Sequence, residues 1–153
     1  MTQSTIEIYV DADACPVKDE VMRVADRHDL PVHMVSNSWM RLDDNPLINR
    51  VIVSEGPDEA DNWIAERITD RDIAITADIP LASRCIERGA SVLGPGGKPF
   101  TQDSIGMALA MRDLKQHLRE TGEISGHNPS FTRQNRSDFL NQLENMVQAI
   151  KRR

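Results

Sequence analysis

Ile6-Glu7-Ile8-Tyr9-Val10-Asp11-Ala12-Asp13-Ala14-Cys15-Pro16-Val17-Lys18 is the stretch whose reading decides the fold. Ile6 to Val10 is rich in β-branched and aromatic side chains and reads as a strand. Pro16 suits a first helical position, because the N–H it lacks is one a helix start leaves unpaired anyway. Val17, Val21, Met22 and Ala25 then recur on one face. A strand that runs through a short turn into a helix is the opening half of a βαβ unit.

The alternation continues outward. Pro31 to Val35 and Val51 to Val53 read as further strands. A helix starting at Pro57 carries Ala60, Trp63, Ile64 and Ile68 as its buried stripe, and Asp72 to Thr76 reads as a fourth strand. The helix from Ile79 to Arg88 stops at Gly89, a suitable C′ residue, and Ser91 to Leu93 is the fifth strand. Short connections of this kind predict an α/β fold: a three-layer sandwich whose mostly parallel sheet of about five strands is covered on both faces.

After Gly94 the pattern changes. Gly94-Pro95-Gly96-Gly97-Lys98-Pro99 reads as a loop. A long helix follows, repeating Met107, Ala110, Met111, Leu114 and Leu118, with its methionines expected in the core. The polar stretch 121–137 reads as a mobile loop, and Ser137 as the N-cap of a last helix over 138–153. That helix has Phe139, Leu143, Met146, Val147 and Ile150 on one side, which can pack on the domain or on a second copy in a homodimer.

The chain has 153 residues, enough for one domain with a buried core. With 39% hydrophobic and 27% charged residues it has a globular balance. Its net charge of -6 gives no overall nucleic-acid surface, although a nuclease needs only a local basic rim. Met1 to Val10 has no basic region ahead of a long apolar run, and no stretch approaches the ~20 apolar residues of a membrane span. Cys15 and Cys85 stand in unrelated contexts. Together these features predict a cytoplasmic protein with neither disulfide framework nor membrane contact.

The aspartates carry the chemistry. Asp11 and Asp13 follow the first strand, and alternation along an extended segment would point both the same way. Asp58 and Asp61 are three apart in the first turn of a helix, so they are neighbours there. Asp78 comes two residues after the fourth strand. Each group lies beyond a strand's carboxyl end, where open α/β sheets place their ligands. Carboxylates converging there would repel one another, and a divalent cation, Mg²⁺ or Mn²⁺, would remove the conflict. Taken singly, Asp-x-Asp also fits an ordinary turn, Asp58 and Asp61 fit the helix dipole, and Asp78 fits a helix cap. Their joint placement favours a site.

At these residues the sequence resembles the YaiI/YqxD family of uncharacterised bacterial proteins. Asp11-Ala12-Asp13-Ala14-Cys15-Pro16-Val17-Lys18, Asp58-Glu59-Ala60-Asp61, Thr76-Ala77-Asp78-Ile79-Pro80-Leu81-Ala82, Gly94 to Phe100 and Ser104-Ile105-Gly106 all match it, from about Ile8 to the last helix. Relatives of that family look like PIN-like domains, a nuclease superfamily whose carboxylates hold Mg²⁺ or Mn²⁺. The resemblance implies Asp11 as first-strand ligand, Asp58 and Asp61 as middle acids and Asp78 as late acid, with Asp13 an extra acid. It implies RNA more than DNA as partner, and products ending in a 3′-hydroxyl and a 5′-phosphate. Asp11 and Asp78 would then be the catalytic pair; by position, Lys98 on the glycine-rich loop and Arg112 on the following helix are candidates for holding substrate phosphates or, equally, solvated surface charges.

Two other readings stay open. A phosphatase of the haloacid dehalogenase type would use Asp11 as nucleophile, Asp13 as acid/base and Ser36 to bind phosphate. It lacks a lysine ahead of its final acidic pair, since Lys98 comes after Asp78. A non-catalytic module would keep the fold and bind metal, nucleotide or RNA. Aromatics, at 4%, are too few for a broad single-strand platform, but Trp39, after the second strand, fits either a base-stacking residue or a hydrophobic lid. Gly96-Gly97-Lys98 is not a P-loop, because Val92 and Pro99 stand where glycine and Ser/Thr are required. His28, His33, His117 and His127 lack zinc-ligand spacing.

Overall fold

In a computed structural model the described residues are 5–42, 44–56, 58–107, 109–111 and 132–153. Five strands run parallel: β1 (Ile8–Asp11), β2 (Val32–Ser36), β3 (Ile48–Ile52), β4 (Ile73–Ile75) and β5 (Ser91–Leu93). A short β6 (Pro99–Phe100) pairs antiparallel with β5, giving the order β3-β2-β1-β4-β5-β6. The helices are α1 (Lys18–His28), α2 (Glu59–Arg67), α3 (Ile79–Glu87) and α4 (Arg133–Lys151), and 102–107 and 109–111 are also helical.

Alternation along the strands sorts the core into two layers. Ile8 and Val10 of β1, Ile73 and Ile75 of β4 and Leu93 of β5 face one side. There they meet Val21, Val24 and Ala25 of α1, and Phe139, Leu143, Val147 and Ile150 of α4. Tyr9, Val35, Ala74 and Val92 face the other, against Ile64 and Ala65 of α2 and Leu81, Ala82 and Cys85 of α3. The expected three-layer sandwich is therefore present. Asp72 is buried, but Glu7 N–H, Thr69 N–H and the Thr69 hydroxyl all donate to its carboxylate, which makes it a structural acid.

Several local expectations change. Pro16 lies outside the helix it was expected to open: α1 begins at Lys18 with Val17 as N-cap. Likewise α2 begins at Glu59, after Asp58, rather than at Pro57. Among the described residues of the connection 37–47, none is helical. The expected loop at 94–99 is a hairpin: Gly94 N–H donates to the Lys98 carbonyl and Gly97 N–H to the Gly94 carbonyl. Gly97 turns it at φ +92, and a Cβ there would stand 2.8 Å from the backbone of Asp138 and Phe139, so the turn needs glycine twice over.

α4 starts five residues before the expected 138. Thr132 and Asn135 form a reciprocal capping box, a stronger start signal than Ser137, which lies inside the helix. Residues 121–131 of the expected loop, with Leu114 and Leu118, lie outside the described residues. Met107 and Met111 are exposed rather than buried, while Ile105 supplies the core contact of their segment. Among the described residues no helix is long and apolar enough to cross a membrane.

Candidate functional site

The strand order makes β1 and β4 neighbours although β2 and β3 lie between them in sequence. The chain therefore moves outward on one side of β1 and returns to build the other. In an open α/β sheet such a switch leaves a crevice at the strands' carboxyl ends. Asp11 ends β1 at this crevice, and Thr76 and Asp78 follow β4 across from it. With Asp13, Cys15 and Pro95 they line a cleft of about 310 Å³.

One hydroxyl links the two sides. The buried Thr76 Oγ1 donates to Asp11 Oδ2 at 3.0 Å and accepts from the Asp78 N–H at 3.0 Å. Asp78 caps α3, its Oδ1 accepting from Leu81 N–H at 2.9 Å. The capping reading of Asp78 thus holds, and its geometry also brings the carboxylate to the cleft.

Asp13 arrives by another route than the one expected. β1 ends at Asp11 and 12–14 form a 3₁₀ turn, so strand alternation does not orient it. Its Oδ1 accepts from the hydroxyl of Ser36, the last residue of β2, and its Oδ2 from Asn37 N–H at 3.4 Å. Ser36 is buried, and its Oγ also lies 2.8 Å from the Ser38 carbonyl and accepts from Ser38 N–H. Its environment is that of a residue fixing Asp13 and the loop.

The middle acids come from the start of α2. Asp58 occupies the N-cap position without a capping bond and is exposed, and Asp61 lies one turn on. Asp61 has its pKa pushed up to about 6, first by burial and then by the charges of Asp78, Asp11 and Asp58. Asp11 is raised as well, by burial first, with Asp78 and Asp13 adding to the shift and the Thr76 hydrogen bond opposing it. All five expected aspartates therefore share one electrostatic neighbourhood.

They do not form a closed cage: among the described residues no group of three or more His, Cys, Asp or Glu is spaced to hold a metal ion. The donor chemistry nevertheless suits Mg²⁺ or Mn²⁺, being hard carboxylate oxygens with unbalanced charge. Mg²⁺ in particular commonly takes only one or two carboxylates, keeping waters or substrate phosphates as its other ligands.

Of the residues expected to hold phosphate, Lys98 is exposed on the hairpin and is not part of the cleft lining. Arg112 lies outside the described residues. Two contributors went unread in the sequence. Thr76 was read as the end of a strand and as part of a family motif but given no role, although Thr-x-Asp after a strand can carry its signal. Arg84 of α3 donates to Asn62 Oδ1 at 2.7 Å, and its charge opposes the rise at Asp61. No local pattern marks Arg84, because α2 and α3 meet only through the fold.

A larger hollow, about 570 Å³, lies at the other end of the sheet, lined by His28, Asp29, Arg71, Lys151 and Arg153 among others. Of its basic groups, His28 stands at the C-terminal end of α1 and Lys151 and Arg153 at that of α4, where cations complement the helix dipole, while Arg71 comes from the turn before β4. His28 Nε2 is paired with Glu144, and His33 packs on Tyr9 with its Nε2 bonded to Glu7. These two histidines serve packing.

Comparison with known proteins gives the chain a lineage. Residues 9–149 match the family described as uncharacterised, YaiI/YqxD. A "UPF0178 protein" of Parvibaculum lavamentivorans is 63% identical over 147 residues, covering 96% of this chain and 97% of the relative. Another from Rhodopseudomonas palustris is 56% identical over 153 residues, covering 100% and 97%. One from Agrobacterium fabrum is 54% identical over 146 residues, covering 95% of each. No solved structure matches.

Proposed function

Since the chain belongs to the YaiI/YqxD family, whose description carries no reaction, we propose its function from its own cleft: metal-dependent hydrolysis of phosphodiester bonds in nucleic acid, RNA before DNA. The observation that carries this reading is the placement of Asp11 and Asp78 in one cleft at the switch point, with burial first and then the charges of Asp78, Asp11 and Asp58 raising Asp61 to about 6. A divalent cation, when bound, would lower the pKa of a coordinated water and stabilise charge on the phosphoryl oxygens.

The protein's own part is placement. Thr76 holds Asp11 Oδ2 and the Asp78 backbone in one register, so the two carboxylates that would bind the cation keep a fixed separation. Asp61 of α2 is coupled to these two through charge rather than grouped with them as a third ligand, while Asp58 and Asp13 add further negative charge nearby. Arg84 is a cation whose charge reaches Asp61, which makes it a stronger candidate than Lys98 for a substrate phosphate.

A non-catalytic nucleic-acid-binding module is the second reading. It is favoured by the engagement of Asp78 Oδ1 in a helix cap and of both Asp13 oxygens by Ser36 and Asn37. Nothing in the cleft favours the phosphatase, whose acid/base group Asp13 would need an oxygen free to reach a leaving group.

Calorimetric titration of Mn²⁺, beside cleavage of labelled single-stranded RNA and DNA, tests the assignment. Saturable binding and cleavage by the unmodified protein are expected. In Asp11→Asn/Asp78→Asn, binding should vanish and cleavage fall about 100-fold or more, the loss of several kcal/mol of transition-state stabilisation. Undiminished cleavage by that variant overturns the reading. RNA binding without cleavage selects the module.

A further inference from the structure

Among the described residues Trp39 is the one aromatic ring left exposed, at 65%, where burying it would be favourable. Its position is tied to the acidic cleft. Ser36 Oγ joins Asp13 to the turn at Ser38, Asn37 N–H meets Asp13 Oδ2, and Trp39 is the next residue along. The other end of this loop is fastened to β3 by Arg50, whose guanidinium donates to the Leu42 carbonyl at 2.8 Å and lies 5.9 Å from the Trp39 ring centroid. Ile52, two residues along β3 and so on the same face as Arg50, is 56% exposed, and it pairs in register with Ser36. An exposed ring with the Arg50 guanidinium over it, followed two residues on by the exposed Arg41, therefore stands on the loop that Asp13 anchors, and Asp44 lines a hollow together with Arg50.

We propose that this surface binds one unstacked base of a single-stranded nucleic acid, the base lying on Trp39 and its flanking phosphate meeting Arg50 or Arg41. The proposal rests on the nuclease reading for its substrate class and adds to it a strand preference and a position. A cation suited to a phosphate lies at the ring itself, Arg50, and Asp13 anchors the same loop at the cleft. Bases of any identity present a π-face, so the contact distinguishes single strand from duplex without reading sequence. A platform of one ring also agrees with the scarcity of aromatics, 4% of the chain.

Binding without turnover tests it. Oligouridylate, oligothymidylate, a duplex of equal length and an inorganic polyphosphate are titrated into the full chain in the presence of a chelator, with intrinsic tryptophan fluorescence as the signal. Trp39 and Trp63 are the two tryptophans, so Trp63→Phe isolates the Trp39 emission. Both single strands are expected to quench that emission, and duplex and polyphosphate to leave it unchanged. Trp39→Ala should weaken single-strand binding about tenfold, by a non-optical assay, and Trp39→Phe should restore most of it. Equal affinity in Trp39→Ala, equal duplex binding, or quenching by polyphosphate overturns the proposal. Trp39-dependent binding in a protein that cleaves nothing would sink the nuclease reading and leave this one standing. Cleavage with Trp39-independent binding would do the reverse.

Discussion

Asp61 shows how much the cleft costs the protein that carries it. In an unfolded chain this carboxyl titrates near 3.8, and in the fold near 6, because of burial and the neighbouring Asp78, Asp11 and Asp58. Between those values the folded protein holds a proton that the unfolded chain has released. Stability therefore falls as pH rises through that window and levels off above it. Asp61 is only partly buried, so solvent screens part of the effect. Asp61→Asn should be more stable than the parent near neutral pH and should lose this part of the slope, as read by urea unfolding across the window. Equal slopes in the two proteins would contradict the coupling. If the cleft binds a cation as proposed, a residue less stable than its replacement is the trace such a site would leave.

At the scale of elements, the hairpin after β5 joins two parts of the chain that are far apart in sequence. Gly97 has a positive φ and lies against the start of α4 so closely that a methyl group would strike the Asp138 and Phe139 backbone. Gly97→Ala should therefore destabilise by about 2 kcal/mol or more, since both the backbone strain and the displaced helix add to the loss. Gly96→Ala is the control, because a Cβ there meets only the Asn135 side-chain amide, at 3.9 Å. Thermal unfolding of the two variants separates the effects, and equal losses would show that the close approach is unimportant.

This hairpin also marks what the sequence could and could not convey. The strands β1, β4 and β5 and the helix α3 were legible because hydrophobic runs and the Gly89 stop are local signals. Gly94 to Pro99 carried only composition, and composition does not reveal that a turn pairs with β5 or touches α4. The same limit applies to the site. Asp11 and Asp78 were found by their distance from strand ends, whereas Thr76, which holds them together, acts across 65 residues. Asp13 reached the cleft for a reason other than the one its spacing suggested. Asp58 and Asp61 share the electrostatics as their helical spacing implied, but Arg84 faces them only because α2 packs beside α3.

For the whole molecule the sheet is a frame with unequal sides. One layer, α2 with α3, is built from consecutive parts of the chain and brings Asp61 and Asp78 together as it folds. The other pairs α1 with α4, the two being bridged by Arg27 and His28 to Glu144 and by Arg136 to Glu20. Phe139, fully buried, is the largest side chain that α4 contributes there. Phe139→Ala should cost about 3–5 kcal/mol in chemical denaturation, a large share of what a domain of this size holds in reserve. A loss below about 1 kcal/mol would mean that α4 is an appendage rather than a wall of the core.

The position of that wall in the chain has a consequence for biosynthesis. Every strand of the sheet is translated before residue 133, yet Ile8, Val10, Ile73, Ile75 and Leu93 remain partly uncovered until α4 arrives. A nascent or prematurely terminated chain ending near Thr132 would therefore present a greasy sheet face to solvent and invite chaperones, proteases or self-association. Translation to the far side of residue 151 is what seals it, so the fold doubles as a check that its own message was read through.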